Sequence, residues 1–176
     1  MDFEIKGFNF ETKLAGNVMG KDTWLTPPYL YEALGKFDLD PCAAPWPRPW
    51  EIAPNNYDIT LGQDGLALPW SGRVFCNPPY GEEAGKFMKK LANHKSGIGL
   101  IFARTETKVW QDTIWPNAIG ILFLKGRLSF YDDKGEKGGT AGSPSTLVAF
   151  SHEDTEVLRT CGLKGCLVTQ PGIKMV

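Results

Sequence analysis

Histidine is scarce in this chain: His94 and His152 are the only two among 176 residues. The four cysteines, Cys42, Cys76, Cys161 and Cys166, show no CxxC spacing. Without such pairs or a supply of imidazoles, no metal site is expected. Cys42 and Cys76 sit in apolar segments, where reduced cysteine behaves as a small hydrophobe, so free thiols are expected. No apolar run approaches the ~20 residues that a bilayer-spanning helix needs, and the first twenty residues lack a signal-peptide pattern. A soluble protein of the cytoplasm is the expectation. Neither sign of charge dominates, because nineteen basic residues against twenty acidic ones leave a net charge of −1. A protein wrapped in nucleic acid would be more basic. This balance still leaves room for brief contact through a local patch.

What the chain does have is enough material for a core. Hydrophobic residues make up 42% and aromatic ones 12% of the sequence. A chain of this length buries roughly 70% of its unfolded surface without disulfide or metal support. No internal repeat occurs. Residues 1–21 have mixed polarity and no sustained period, which predicts an N-terminal arm, with residues 22–176 as a single domain.

Pro27 and Pro28 suit the first turn of a helix, and Leu30, Ala33, Leu34 and Phe37 follow at the spacing of one buried face. A short strand is expected from Phe37 to Pro41. Four prolines, Pro41, Pro45, Pro47 and Pro49, then exclude regular structure, with Trp46 and Trp50 interleaved with them. A second strand, Arg73-Val74-Phe75-Cys76, runs directly into Asn77-Pro78-Pro79-Tyr80-Gly81. Ala84, Phe87, Met88 and Leu91 predict a further amphipathic helix.

An apolar strand is expected over residues 98–103, a helix over 108–114, and two strands over 119–131 and 146–150. The glycine-rich stretch 132–145, with Lys134 and Lys137, reads as a mobile surface loop. Strands alternating with helices, followed by an antiparallel strand pair, predict an α/β fold around a mostly parallel sheet. In that architecture ligands bind beyond the carboxyl ends of the strands, where Asp40 and Asn77 would converge.

The Asn77-Pro78-Pro79-Tyr80 turn carries the chemistry. An aromatic exocyclic amine is a poor nucleophile, because its lone pair is delocalised into the ring. Two fixed acceptors beside its N–H groups would draw it toward tetrahedral geometry and stabilise the developing positive charge. The Asn77 side-chain oxygen and the Pro78 carbonyl can serve as that pair, and Pro78 and Pro79 keep the turn rigid. Tyr80 offers a flat face on which a flipped base can stack.

With these residues the chain resembles the phage-type DNA N6-adenine methyltransferases, whose signature includes the Asn-Pro-Pro-Tyr tetrapeptide. The likeness runs through Asp22-Thr23-Trp24-Leu25-Thr26-Pro27, Phe37-Asp38-Leu39-Asp40-Pro41-Cys42-Ala43-Ala44, Gln63-Asp64-Gly65-Leu66 and the catalytic turn. It continues in Ala103-Arg104-Thr105-Glu106-Thr107-Lys108 and Gly126-Arg127-Leu128-Ser129-Phe130.

The resemblance implies a Rossmann-like methyltransferase fold, S-adenosylmethionine as cofactor and double-stranded DNA as substrate, in host cytoplasm if the chain is phage-encoded. It places Thr26, Pro27, Asp40, Cys42, Ala43 and Asp64 by the cofactor, and Asn77, Pro78, Pro79 and Tyr80 in the catalytic turn. It also suggests Arg104 and Arg127 as substrate contacts. The usual glycine-rich turn after the first strand is replaced here by Asp40-Pro41-Cys42-Ala43-Ala44. The segment between Asp40 and Asn77 is short, so the elements between those strands are expected to be abbreviated.

Each of these residues also has a plainer reading. Asp40 can make local backbone bonds, Asp64-Gly65 can be a simple turn, and Trp46 and Trp50 can be packing residues. Cytosine N4, an RNA amine and a protein glutamine amide present the same planar NH2. A catalytically inactive methyltransferase-like DNA-binding protein is the alternative from another class.

Overall fold

The computed structural model describes residues 24–170, so the expected N-terminal arm lies outside the described residues. The strands, in chain order, are β1 (Leu39–Asp40), β2 (Asn55–Asn56), β3 (Val74–Cys76), β4 (Gly97–Phe102), β5 (Gly120–Leu124), β6 (Ser129–Tyr131), β7 (Lys137–Thr140), β8 (Ser145–Ala149) and β9 (Gly165–Thr169). The helices are α1 (Pro28–Ala33), α2 (Glu82–His94), α3 (Trp115–Asn117) and α4 (His152–Thr160).

Seven strands form one sheet in the order β2-β1-β3-β4-β8-β5-β9. The pairs β1–β2, β1–β3 and β3–β4 are parallel, whereas β8 is antiparallel to both β4 and β5, and β9 is antiparallel to β5. Within this sheet β8 and β9 therefore run against the other strands. This is the α/β arrangement expected, with the antiparallel pair β5–β8 at its C-terminal side. Between β1 and β3 stand only β2 and a short 3-10 turn, Ile59–Leu61. No described helix is long and apolar enough to cross a membrane.

The central strands are buried along their whole length, as Val74, Phe75 and Cys76 illustrate. A sheet covered on both faces selects continuous apolar runs over strict alternation. Successive side chains still point to opposite faces. Val74 and Cys76 join Met88, Leu91 and Trp110 on one side, while Phe75 joins Leu30, Leu34 and Leu158 on the other. Gly99 is required by the first of these contacts, because a Cβ there would lie 2.8 Å from the Met88 terminal methyl.

Pro28 opens α1 within its first turn, and Leu30, Leu34 and Phe37 are buried with Ala33 only half-buried, but the helix ends at Ala33 and Gly35 turns the chain at a φ of +84° before Phe37. In α2 the predicted face, Ala84, Phe87, Met88 and Leu91, is fully buried. The helix expected over 108–114 forms, but its turns over Trp110–Ile114 widen to π spacing before α3. Pro116 follows directly and lacks the N–H that a regular α-turn there would use.

The expected strand over 119–131 is corrected. It stops at Leu124, Gly126 turns with a φ of +82°, and the chain re-enters as β6 in a separate sheet with β7. The stretch 132–145 is correspondingly not all loop. The Asp132 carboxylate accepts the N–H groups of Lys134 (3.0 Å) and Glu136 (2.8 Å), closing a tight turn that leads into β7. Leu25 and Tyr131 exchange two backbone bonds of 2.7 and 3.0 Å, which fastens the start of the described chain to this hairpin.

Candidate active site

The site is built where β3 stops. After Cys76 the consecutive prolines Pro78 and Pro79 end the ladder, and Gly81, at a φ of +110°, admits the chain into α2. Asn77 stands at this end of β3. Its Nδ2 donates to the hydroxyl of the buried Thr26 at 3.2 Å. Its Oδ1 is buried and accepts no hydrogen bond among the described residues. A buried polar atom left unsatisfied costs roughly 1–3 kcal/mol, and functional sites are among the places where that cost is tolerated. The Pro78 carbonyl likewise accepts no hydrogen bond among the described residues.

Asn77, Thr26, Asp40 and Cys42 line one pocket, together with Trp24, Arg48 and Trp50. Two parallel strands bring Asp40 and Asn77 to it, since Leu39 of β1 registers against Val74 of β3. One oxygen of Asp40 accepts the Cys42 N–H at 3.0 Å. Burial pushes the Asp40 carboxyl up to about 6, against the opposing pull of that N–H and of Arg48. The Cys42 sulfur lies 3.7 Å from that of Cys76, and burial raises its thiol well above the ordinary range, keeping it neutral.

Trp50 donates its indole N–H to the Thr26 carbonyl at 3.2 Å and meets Tyr131 edge-on at 5.3 Å. Gly138 of β7 is needed beside Trp24, whose ring would lie 2.5 Å from a Cβ at that position. The hairpin therefore braces the wall that holds Thr26.

Arg48 enters the pocket from the proline-rich loop. Its Nη1 donates to the Ala44 carbonyl at 2.7 Å and its Nη2 to Glu51 at 3.0 Å, while its Nε is a buried donor without a partner among the described residues. Neither Arg48 nor the two tryptophans of the lining, Trp24 and Trp50, is among the site residues anticipated from the sequence. A usable signal exists for the arginine, because Arg48 is the lone cation between Lys36 and Arg73.

Tyr80 is exposed on one side and stacked on Phe102 on the other, with ring centroids 4.2 Å apart and planes 5° from parallel. Burial against that neighbour pushes its phenol up to about 12. The Arg104 guanidinium lies 5.6 Å from the centre of the same Phe102 ring, and its Nε donates to the Ser143 hydroxyl at 3.2 Å. Arg127 donates to the carbonyls of Ala141 (3.3 Å) and Gly142 (3.1 Å). Both arginines thus gather on the segment 141–143, outside the pocket.

The remaining anticipated residues do not line the pocket. Pro27 is buried at the entry to α1, Ala43 is buried in packing, and Pro79 is exposed on the turn. The Asp64 carboxylate is occupied by its own turn, accepting the Leu66 N–H at 2.8 Å. Lys90 holds that turn in place by donating to the carbonyls of Gly65, Leu66 and Leu68.

Comparison with curated proteins and with solved structures finds no match. The family model described as DNA N-6-adenine-methyltransferase (Dam) matches residues 14–162. That span takes in Thr26, Asp40, the turn at Asn77, and the arginines at 104 and 127. The chain belongs to the DNA N-6-adenine-methyltransferase (Dam) family.

Proposed function

We propose that the chain transfers the methyl group of S-adenosylmethionine to the N6 amine of adenine in DNA, at the pocket that Asn77 closes. The observation that carries this reading is the Asn77 Oδ1, a buried acceptor at the end of β3 with no partner among the described residues. It and the Pro78 carbonyl take the two N–H groups of the amine. The nitrogen lone pair is thereby drawn out of the ring, and the positive charge that builds on nitrogen meets two fixed dipoles. The bond from the Asn77 Nδ2 to the Thr26 hydroxyl holds one end of the amide against the wall and turns its oxygen toward the amine. Asparagine is not a useful general base, so its part is orientation and charge stabilisation. Tyr80, backed by Phe102, presents its outer face to an adenine turned out of the duplex.

The pocket residues fit the proposed cofactor. Asp40 places a carboxylate in low-dielectric surroundings on the pocket wall, where a cationic ligand is favoured. Thr26 and Cys42 sit beside it, with Trp24 and Trp50 as apolar walls. When bound, S-adenosylmethionine supplies the electrophilic methyl group of its sulfonium. These features support a Rossmann-like methyltransferase architecture, abbreviated between β1 and β3.

The test is methyl transfer from isotopically labelled S-adenosylmethionine to unmethylated duplex DNA, followed by nucleoside mass spectrometry. Labelled N6-methyladenine is expected from the wild-type protein. Asn77→Ala should reduce turnover by about 100-fold or more, as for removal of a hydrogen bond that matters most in the transition state. Label appearing only in N4-methylcytosine would overturn the choice of base, and near wild-type turnover in Asn77→Ala would overturn the role of the turn.

A further inference from the structure

We infer that Arg48 is the anchor for a carboxylate, and that the pocket grips the α-amino-acid end of the methyl donor as a zwitterion between Arg48 and Asp40. This inference rests on the methyl-donor reading above and extends it to a residue outside the anticipated set.

Arg48 is a buried cation whose hydrogen-bonding capacity is not used up. Its side chain is only 8% exposed, and its Nε is a buried donor with no acceptor among the described residues. The two nearby carboxylates do not complete it. Glu51 takes Nη2 from a side chain that is 47% exposed, so much of its charge is answered by water. Asp58 stands 4.0 Å from Nη1, beyond hydrogen-bonding distance. Both Asp58 oxygens are already engaged, one by the N–H and hydroxyl of Thr60 and the other by the Trp46 N–H. Asp58 therefore shapes the loop that carries Arg48 and leaves its Nε free.

Asp40 lies on the same pocket wall with the opposite charge. The pairing narrows the ligand. A simple anion would be repelled by Asp40 and a simple cation by Arg48, while an apolar ligand would leave both groups desolvated without recompense. A zwitterion answers both, its ammonium at Asp40 and its carboxylate at Arg48. The guanidinium is suited to this, since its planar fork of donors matches a carboxylate.

The experiment is titration calorimetry of the full chain with S-adenosylmethionine and with its decarboxylated counterpart, which keeps the adenosine, the sulfonium and the amine. Wild-type protein should bind the decarboxylated compound roughly 10- to 100-fold more weakly, the range expected for losing a charge-assisted hydrogen bond. Arg48→Gln should weaken S-adenosylmethionine by a similar factor and leave the decarboxylated compound within about twofold.

Equal wild-type affinities for the two compounds would overturn the inference, whatever the variant does. Parallel weakening of both ligands in Arg48→Gln would also overturn it, by assigning Arg48 to loop scaffolding alone. Should that variant fail to fold, Arg48→Lys keeps the charge and must narrow the ratio between the two ligands; an unchanged ratio counts against the inference. Wild-type protein that binds neither compound would sink the methyl-donor reading and this inference with it.

Discussion

Replacing Thr26 with valine isolates orientation from chemistry at the proposed active site. The two side chains have nearly the same shape, and Thr26 is 2% exposed, so the packing around it is retained. What disappears is the hydroxyl that accepts the Asn77 Nδ2 at 3.2 Å. The Asn77 amide then loses the side-chain bond that restrains its rotation. A neutral hydrogen bond contributes about 0.5–1.5 kcal/mol net, which corresponds to roughly a 2- to 13-fold change in the population of the productive amide rotamer. Thr26→Val should accordingly lower the single-turnover rate of methyl transfer at saturating cofactor by that factor. Asn77→Ala, which removes the acceptor itself, should cost about 100-fold or more. The assay is rapid-quench transfer of labelled methyl to DNA, with cofactor affinity measured separately because Thr26 also lines the pocket. A Thr26→Val rate equal to wild type would mean that the bond does not orient Asn77. A loss as deep as that of Asn77→Ala would mean that Thr26 contributes far more than orientation. Either result refutes the reasoning.

Three more perturbations test separate links. Tyr80→Ala should weaken capture of the target base by about 1–3 kcal/mol of stacking, read as reduced fluorescence of 2-aminopurine at the target position; an unchanged signal removes Tyr80 from the site. Asp40 protonates near pH 6, well above an ordinary carboxyl, because burial disfavours its anion. Lowering the pH through that value removes the negative charge, so cofactor affinity should be level near pH 7 and about tenfold weaker at pH 5. Asp40→Asn should be weak and flat over the same window, and a wild-type profile flat to pH 5 would contradict the assignment. Asp154 binds Arg73 at 2.7 Å, the Gly97 N–H at 2.7 Å and the Ser151 hydroxyl at 2.8 Å, clamping the starts of β3 and β4 to α4. Asp154→Ala leaves Arg73 without its carboxylate and should lower stability by about 3–5 kcal/mol in urea unfolding. A loss below about 1 kcal/mol would show the pair to be solvent-screened.

The parts of the fold that could be read in advance are those whose signals are local. Pro28, Leu30 and Ala33 announce α1, whose predicted last turn Gly35 cuts short, and Val74-Phe75-Cys76 ahead of Asn77 and two prolines announces a strand that stops short. The β6–β7 hairpin was hidden because Lys137-Gly138-Gly139-Thr140 has almost none of the bulk that marks a strand. Its glycines answer a tertiary demand, since Gly138 makes room for the Trp24 ring. At the site, Asp40 and Asn77 converge at one pocket as the strand-end argument requires, with Thr26 and Cys42 beside them. Arg48 escaped because a charged residue in a proline-rich loop reads as solvated, and only the folding of the loop onto Asp58 and Ala44 buries it. The bonds that tie Arg104 and Arg127 to residues 141–143 run across the chain, beyond the reach of any local pattern.

The two backbone bonds between Leu25 and Tyr131 make Leu25 an added rung on the small hairpin sheet. Thr26 follows one residue later, so it travels with that sheet, whereas Asn77 is fixed to the end of a strand in the large one. The 3.2 Å bond between them is therefore a seam joining two sheets that share no ladder. Sliding of one sheet against the other would strain this bond and turn the Asn77 amide. A ligand that presses on the exposed face of the hairpin would thus have a lever on the acceptor proposed for catalysis without touching it.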